Sequence, residues 1–208
     1  IRDVYKRQVV SWICSASISA LSIAGRDRRP RWGNRVATND SKPQTLAAVH
    51  ALLDAQNTLT LATSGDDGPW AAAVFFASDA SLNLYFVSDA RTRHGRNLAG
   101  SGRAAVAVHA DCDHWGDIRG VQMEGTVTIL EGDHRAAALD AYLDKFPQIR
   151  RLYEQPTSDN ERTIAERLRI ASLYRLAPEQ VRMIDNSRGF GFKEEFRPTN
   201  HIQQPGRE

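Results

Sequence analysis

The chain has 208 residues, 41% hydrophobic and 25% charged, which suits one domain of about 150 residues burying roughly two-thirds of its unfolded surface, with extras; no apolar run reaches the ~18 residues of a spanning helix. Two cysteines, Cys14 and Cys112, form no CxxC pair, so neither a disulfide framework nor a thiolate zinc site is indicated and a reducing cytoplasm fits best. The net charge of +2 is unevenly shared: residues 1–43 hold nine Lys/Arg against three Asp/Glu, the remainder eighteen against twenty-two, so the body lacks the cationic face that nucleic-acid binding requires.

In chain order, residues 1–43 are expected to be an unstructured or spurious extension. Residues 1–8 look like translated adapter sequence. Residues 9–25, behind Lys6 and Arg7, also read as a signal-peptide hydrophobic region, although the Ser content there and the Arg-dense stretch at 26–35 suit that poorly. The domain proper is expected at 44–196, with a tail at 197–208. Leu46, Val49, Leu52 and Leu53 recur at helical spacing, which predicts an amphipathic helix over 44–56. Alternation then predicts a strand at 58–63, a Gly-Asp turn at 64–68 and strands at 70–78 and 82–88.

A short helix follows at 92–100, then strands at 104–110 and 121–130. An antiparallel sheet that closes on itself is the economical arrangement. Helices are predicted at 133–146, ended by Pro147, and near 159–168. Two last strands, 170–176 and 180–185, are separated by an Ala177-Pro178-Glu179 turn. The fold class is thus mainly β within α+β: an antiparallel split β-barrel with flanking helices.

The junction running from Leu84 through Ser88 to Gly95 carries the clearest chemistry. A helix N-terminus offers unpaired N–H groups and a positive dipole end. Hydroxyls of Ser88 and Thr92, the guanidinium of Arg93 and the imidazole of His94 converge on it in sequence. Such a group suits an anion, and Arg93 can grip a phosphate bidentately. An ordinary capped helix is the other reading. His109, Asp111, Cys112, Asp113 and His114 invite a metal, yet Asp-rich turns between strands are common and no metal site is expected there. No Ser-His-Asp arrangement, nucleophile elbow or Gly-rich dinucleotide loop is present, so in an enzyme a cofactor must supply the chemistry.

The strand order, the apolar stretch Ala71-Ala72-Ala73-Val74-Phe75-Phe76, the Thr92-Arg93-His94-Gly95 sequence and the Ile118-Arg119-Gly120-Val121-Gln122-Met123-Glu124-Gly125 segment after Trp115 together resemble the pyridoxamine 5'-phosphate oxidase-like flavoproteins, across residues 44–196. The resemblance implies FMN as cofactor. Its phosphate would meet Ser88, Thr92, Arg93 and His94, and its ring would lie against Ala73, Val74, Phe75, Phe76 and Val87, with Gln122 placed by its strand. It also implies a homodimer with the flavin at the interface, where residues 185–193 reach the partner's flavin, and a small-molecule substrate.

Two departures stand out. His94 replaces the family's Lys, and the Arg-x-His substrate grip of true oxidases has no counterpart, Arg167-Leu168-Arg169 being nearest. The expected function is therefore an FMN-dependent oxidoreductase acting on an unidentified small molecule. The alternatives are a non-catalytic flavin-binding module, or a barrel that binds a deazaflavin or haem.

Overall fold

In a computed structural model of the chain, residues 41–198 are described; the expectations for residues 1–40 and 199–208 lie outside them. The elements are α1 (Ser41–Ala55), β1 (Thr58–Gly65), β2 (Gly68–Ser78), β3 (Leu84–Ser88), α2 (Arg93–Ser101), β4 (Arg103–His109), β5 (Arg119–Ile129), α3 (Gly132–Lys145), α4 (Pro147–Glu154), α5 (Asp159–Ile170), β6 (Ser172–Asp185) and β7 (Lys193–Phe196). One antiparallel sheet runs in the order β3-β2-β1-β4-β5-β6-β7. Pairing of β3 with the first half of β6 closes six strands into a barrel, and β7 pairs with the second half. The fold is the expected α+β split barrel.

Side chains alternate across each strand, and the inward set makes the core. Leu59, Leu61, Phe76, Leu84, Phe86, Val106, Val108, Val121 and Met183 are all buried, and Phe86 stacks on Tyr174 with ring centroids 5.0 Å apart. Each such side chain contributes about 1.5–3 kcal/mol by leaving water. Val49 and Leu53 of α1 and Leu98 of α2 join the same cluster.

The segment between β5 and β6 folds into α3, α4 and α5. Tyr142, Leu143 and Phe146 of this segment pack on Ala77 and Val87, on the outer side of β2 and β3. Lys145 ties the helices to α1: its Nζ donates to the carbonyls of Leu53 at 2.8 Å and Gln56 at 2.7 Å, and sits 4.1 Å over the Phe76 ring. Burial lowers the pKa of this ammonium.

Three elements differ from the sequence-based expectation. The last two strands are one strand, β6, because a bulge absorbs the Pro: Glu124 pairs with Gln180, but Gly125 pairs with Pro178. Glu179, left over, accepts from Arg103 Nη1 and Nη2 and from the Thr126 hydroxyl. Pro147 ends α3 but also occupies the first turn of α4, a position where its missing N–H costs nothing. Residues 193–196, for which the sequence pattern predicts no element, add β7, whose buried Glu194 accepts a hydrogen bond from the buried Thr45 of α1. Among the described residues no helix is long and apolar enough to cross a membrane.

Candidate functional site

The junction from β3 to α2 is built by local capping. Thr92 is the N-cap, with φ −64° and ψ 160°; its Oγ1 accepts from Gly95 N at 3.1 Å and donates to the Asp89 carbonyl at 2.7 Å. Gly95 lets the helix come close to the preceding turn, since a Cβ there would stand 2.5 Å from the Ala90 carbonyl oxygen. Within the turn, Arg91 pairs with Asp89 at 2.7 Å and holds the carboxyl down to about 2.

His94 is 8% exposed. Its Nε2 lies 2.6 Å from the Ser88 hydroxyl oxygen, and burial lowers its pKa below the ordinary 6.5. A neutral imidazole thus shares a hydrogen bond with a hydroxyl at the end of β3.

Beside this pair lies a cleft of about 420 Å³, lined by Ala73, Val74 and Phe75 of β2, Val87 and Ser88 of β3, and His94 of α2. Helix residues complete it: Tyr142 of α3, Ile149 and Leu152 of α4, and Ile164 and Leu168 of α5. Phe75 is 48% exposed, its ring edge-on to Phe146 at 5.4 Å. Burial pushes the Tyr142 hydroxyl up to about 12. Such a space is of the size that takes a cofactor or substrate, about 300–1,000 Å³, and its walls are mainly apolar.

Six of the ten residues expected at a flavin therefore meet in one cleft. The other four are placed elsewhere. Phe76 alternates inward and is fully buried in the barrel. Thr92 uses its hydroxyl to cap α2. Arg93 turns back towards the β1–β2 hairpin, its guanidinium 4.7 Å over the Trp70 ring and Nη2 donating to the Asp67 carbonyl at 2.7 Å, while Nε is buried without a hydrogen-bond partner. Gln122 lies on the outer face of the sheet, accepting from Arg182 Nη1 at 3.2 Å, and lines a separate groove of about 490 Å³.

Sequence reasoning missed the helical wall. Ile149 with Leu152 and Ile164 with Leu168 recur at spacings of three and four residues, which was the available signal, but nothing in the pattern says what that face meets. Among the described residues no group of three or more His, Cys, Asp or Glu side chains is placed to hold a metal. The closing segment forms a separate aromatic patch, in which Phe190, 80% exposed, meets Trp115 edge-on at 5.6 Å.

A family profile described as pyridoxamine 5'-phosphate oxidase matches residues 45–185. A UPF0306 protein of Klebsiella pneumoniae is 30% identical over 155 residues, covering 74% of this chain and 94% of its own length. A haem binding protein from Mycobacterium smegmatis is similar in structure, with a TM-score of 0.57 and 26% identity over 74% of this chain; the chain spans 57% of that protein. HutZ, a haem storage protein from Vibrio cholerae, shares the fold at a TM-score of 0.51 and 18% identity, over 65% of this chain and 91% of that one.

Proposed function

The chain belongs to the pyridoxamine 5'-phosphate oxidase family, and from that premise we propose that its cleft holds FMN and that it is an FMN-dependent oxidoreductase acting on a small molecule. One observation carries the reading: the strand residues expected along a flavin, Ala73, Val74 and Phe75, and the Ser88–His94 pair expected at its phosphate line the same cleft.

The residues present fit the cofactor. Apolar walls from Val87, Ile149 and Leu168 suit a planar ring, and the start of α2 offers backbone N–H groups to a phosphate. Arg93, the first residue of α2, keeps Nε buried without a partner while its guanidinium rests on Trp70 and the Asp67 carbonyl, so pairing with the phosphate requires it to swing off the β1–β2 hairpin. When bound, FMN supplies hydride and electron transfer. The chain's own contribution is position and polarity: the helical wall excludes water, and the Ser88–His94 pair holds a proton between Oγ and Nε2. His94, kept neutral by burial, gives the phosphate a hydrogen bond rather than charge, so charge pairing falls to Arg93. Vitamin B6 oxidation is not proposed, because Arg167 and Arg169 lie on α5 without the histidine of the Arg-x-His grip.

The same reading includes a homodimer. Ala71, Ala73 and Phe75 face outward and exposed from β2, and a second copy covering them would close the flavin site.

A second reading, haem, is favoured by the buried imidazole of His94 in an apolar cleft, together with the likeness to the Mycobacterium smegmatis haem binding protein. Titration of the purified chain with FMN, riboflavin and haemin, followed by flavin fluorescence and visible absorption, separates the two. FMN is expected to bind more tightly than riboflavin. Arg93→Ala should cost FMN about ten- to a hundredfold in affinity, the loss of one charge-assisted hydrogen bond, and leave riboflavin almost unchanged. Uptake of haemin with none of FMN replaces the first reading by the second.

A further inference from the structure

A second cavity, of about 770 Å³, opens between the β3–α2 junction and α5. It adjoins the cofactor cleft, because Val87, Ser88, Ile164 and Leu168 line both. Its outer rim adds Ile170, 76% exposed, and Arg167. Large apolar side chains left in water around a concavity are unusual unless something covers them.

The charges around the rim are not equivalent. Arg91 is neutralised by Asp89. On α5, Arg162 pairs with Asp159, and Arg169 donates to the Tyr153 carbonyl while lying over its ring at 5.1 Å. Arg167 lines the cavity, and its guanidinium makes no hydrogen bond or ion pair with another described residue. The cavity therefore combines one uncommitted guanidinium, an apolar wall and the Ser88 hydroxyl.

We propose that this cavity is the substrate compartment of the same site and that it takes an amphipathic organic anion, a carboxylate on an apolar body. The carboxylate pairs with Arg167, whose planar fork matches it, and the body lies on Ile164, Leu168 and Ile170 opposite Val87. Ser88, shared by the two cavities, marks where such a ligand meets the cofactor cleft. Binding of the anion stands on this geometry; its conversion rests on the flavin reading.

The test is calorimetric titration of the full chain, with and without FMN, using 4-phenylbutyrate and its uncharged counterpart 4-phenylbutanol. The acid is expected to bind at least about tenfold more tightly than the alcohol. Arg167→Gln should abolish that preference while leaving flavin uptake and the thermal unfolding midpoint as in the unmodified chain. Arg162→Gln should keep the preference, and Ile164→Ser should weaken both ligands together. Equal affinity for acid and alcohol, survival of the preference in Arg167→Gln, or absence of binding overturns the proposal. An Arg167-dependent preference in a chain that takes up no flavin removes the cofactor reading and leaves the compartment; flavin uptake without that preference removes the compartment alone.

Discussion

His94 is the titrating side chain of the cleft, and its burial sets a pH dependence. Its folded pKa lies below the unfolded value near 6.5, so the unfolded chain binds the proton more readily than the folded one. The stability tied to the neutral imidazole is thus complete above pH 6.5 and is lost as the pH falls through the folded value. Urea unfolding at pH 7.5 and pH 5 should show a drop in the unmodified chain that His94→Gln lacks. Flavin affinity should not rise on mild acidification, as it would for an exposed imidazole gaining charge near 6.5. Gly95 sits beside it under a steric constraint. Alanine is better than glycine within a helix by about 1 kcal/mol, but here its Cβ would meet the Ala90 carbonyl oxygen at 2.5 Å, and overpacking of that kind costs about 1–3 kcal/mol. Gly95→Ala should therefore lower the unfolding midpoint and weaken FMN together. The capping of α2 by Thr92 was legible in the order of residues, because it is local. The turning of Arg93 towards Asp67 and Trp70 was not, because both partners come from the distant β1–β2 hairpin.

At the scale of elements, the bulge in β6 shows how a turn signal is overruled. Ala177-Pro178-Glu179 carries the composition of a turn, yet β5 keeps pairing past it because Gly125 has no side chain to obstruct the approach. A Cβ at Gly125 would lie 2.0 Å from the Ala177 carbonyl oxygen. Gly125→Ala is expected to cost about 2–4 kcal/mol, read as a lower urea midpoint, whereas Glu179→Ala on the exposed side should leave that midpoint nearly unchanged. The β2–β3 connection is under comparable constraint. Asp79 accepts from the backbone N–H of Ser81 and Asn83, the Asn83 amide and the Tyr85 hydroxyl, and so holds buried Leu82 at φ 64°. That left-handed backbone costs a non-glycine residue about 1–2 kcal/mol, which these bonds offset. Asp79→Ala should destabilise by about 2–3 kcal/mol. Strands and their order were readable from alternation and turn residues. The helices α3 and α5 were legible as helices and α4 was not, and the part of all three in the cleft was hidden, since a helical stripe announces that a face is covered without naming what covers it.

For the molecule as a whole, the apolar run of β2 carries the argument for assembly. Its inward residues fill the barrel, while Ala71, Ala73 and Phe75 stay exposed, so consecutive hydrophobicity reflects a buried face and an uncovered one. Sedimentation should show a dimer whose dissociation is promoted by Phe75→Asp; a stable monomer with flavin bound would sink this idea. Every residue of both cavities lies between Ala73 and Ser172, and a chain beginning at Ser41 should bind FMN as the full chain does. The closure of the barrel has a further consequence, for synthesis. One edge of Leu84–Ser88 pairs with β2, just made, but the other finds its partner only in Ser172–Leu176, so from the time β3 leaves the ribosome until β6 follows, the nascent chain carries an open strand edge. Four helices and two strands must be translated in between. Closing that long loop makes folding slow by topology, and the interval before closure is when a neighbouring nascent chain can pair with the edge instead.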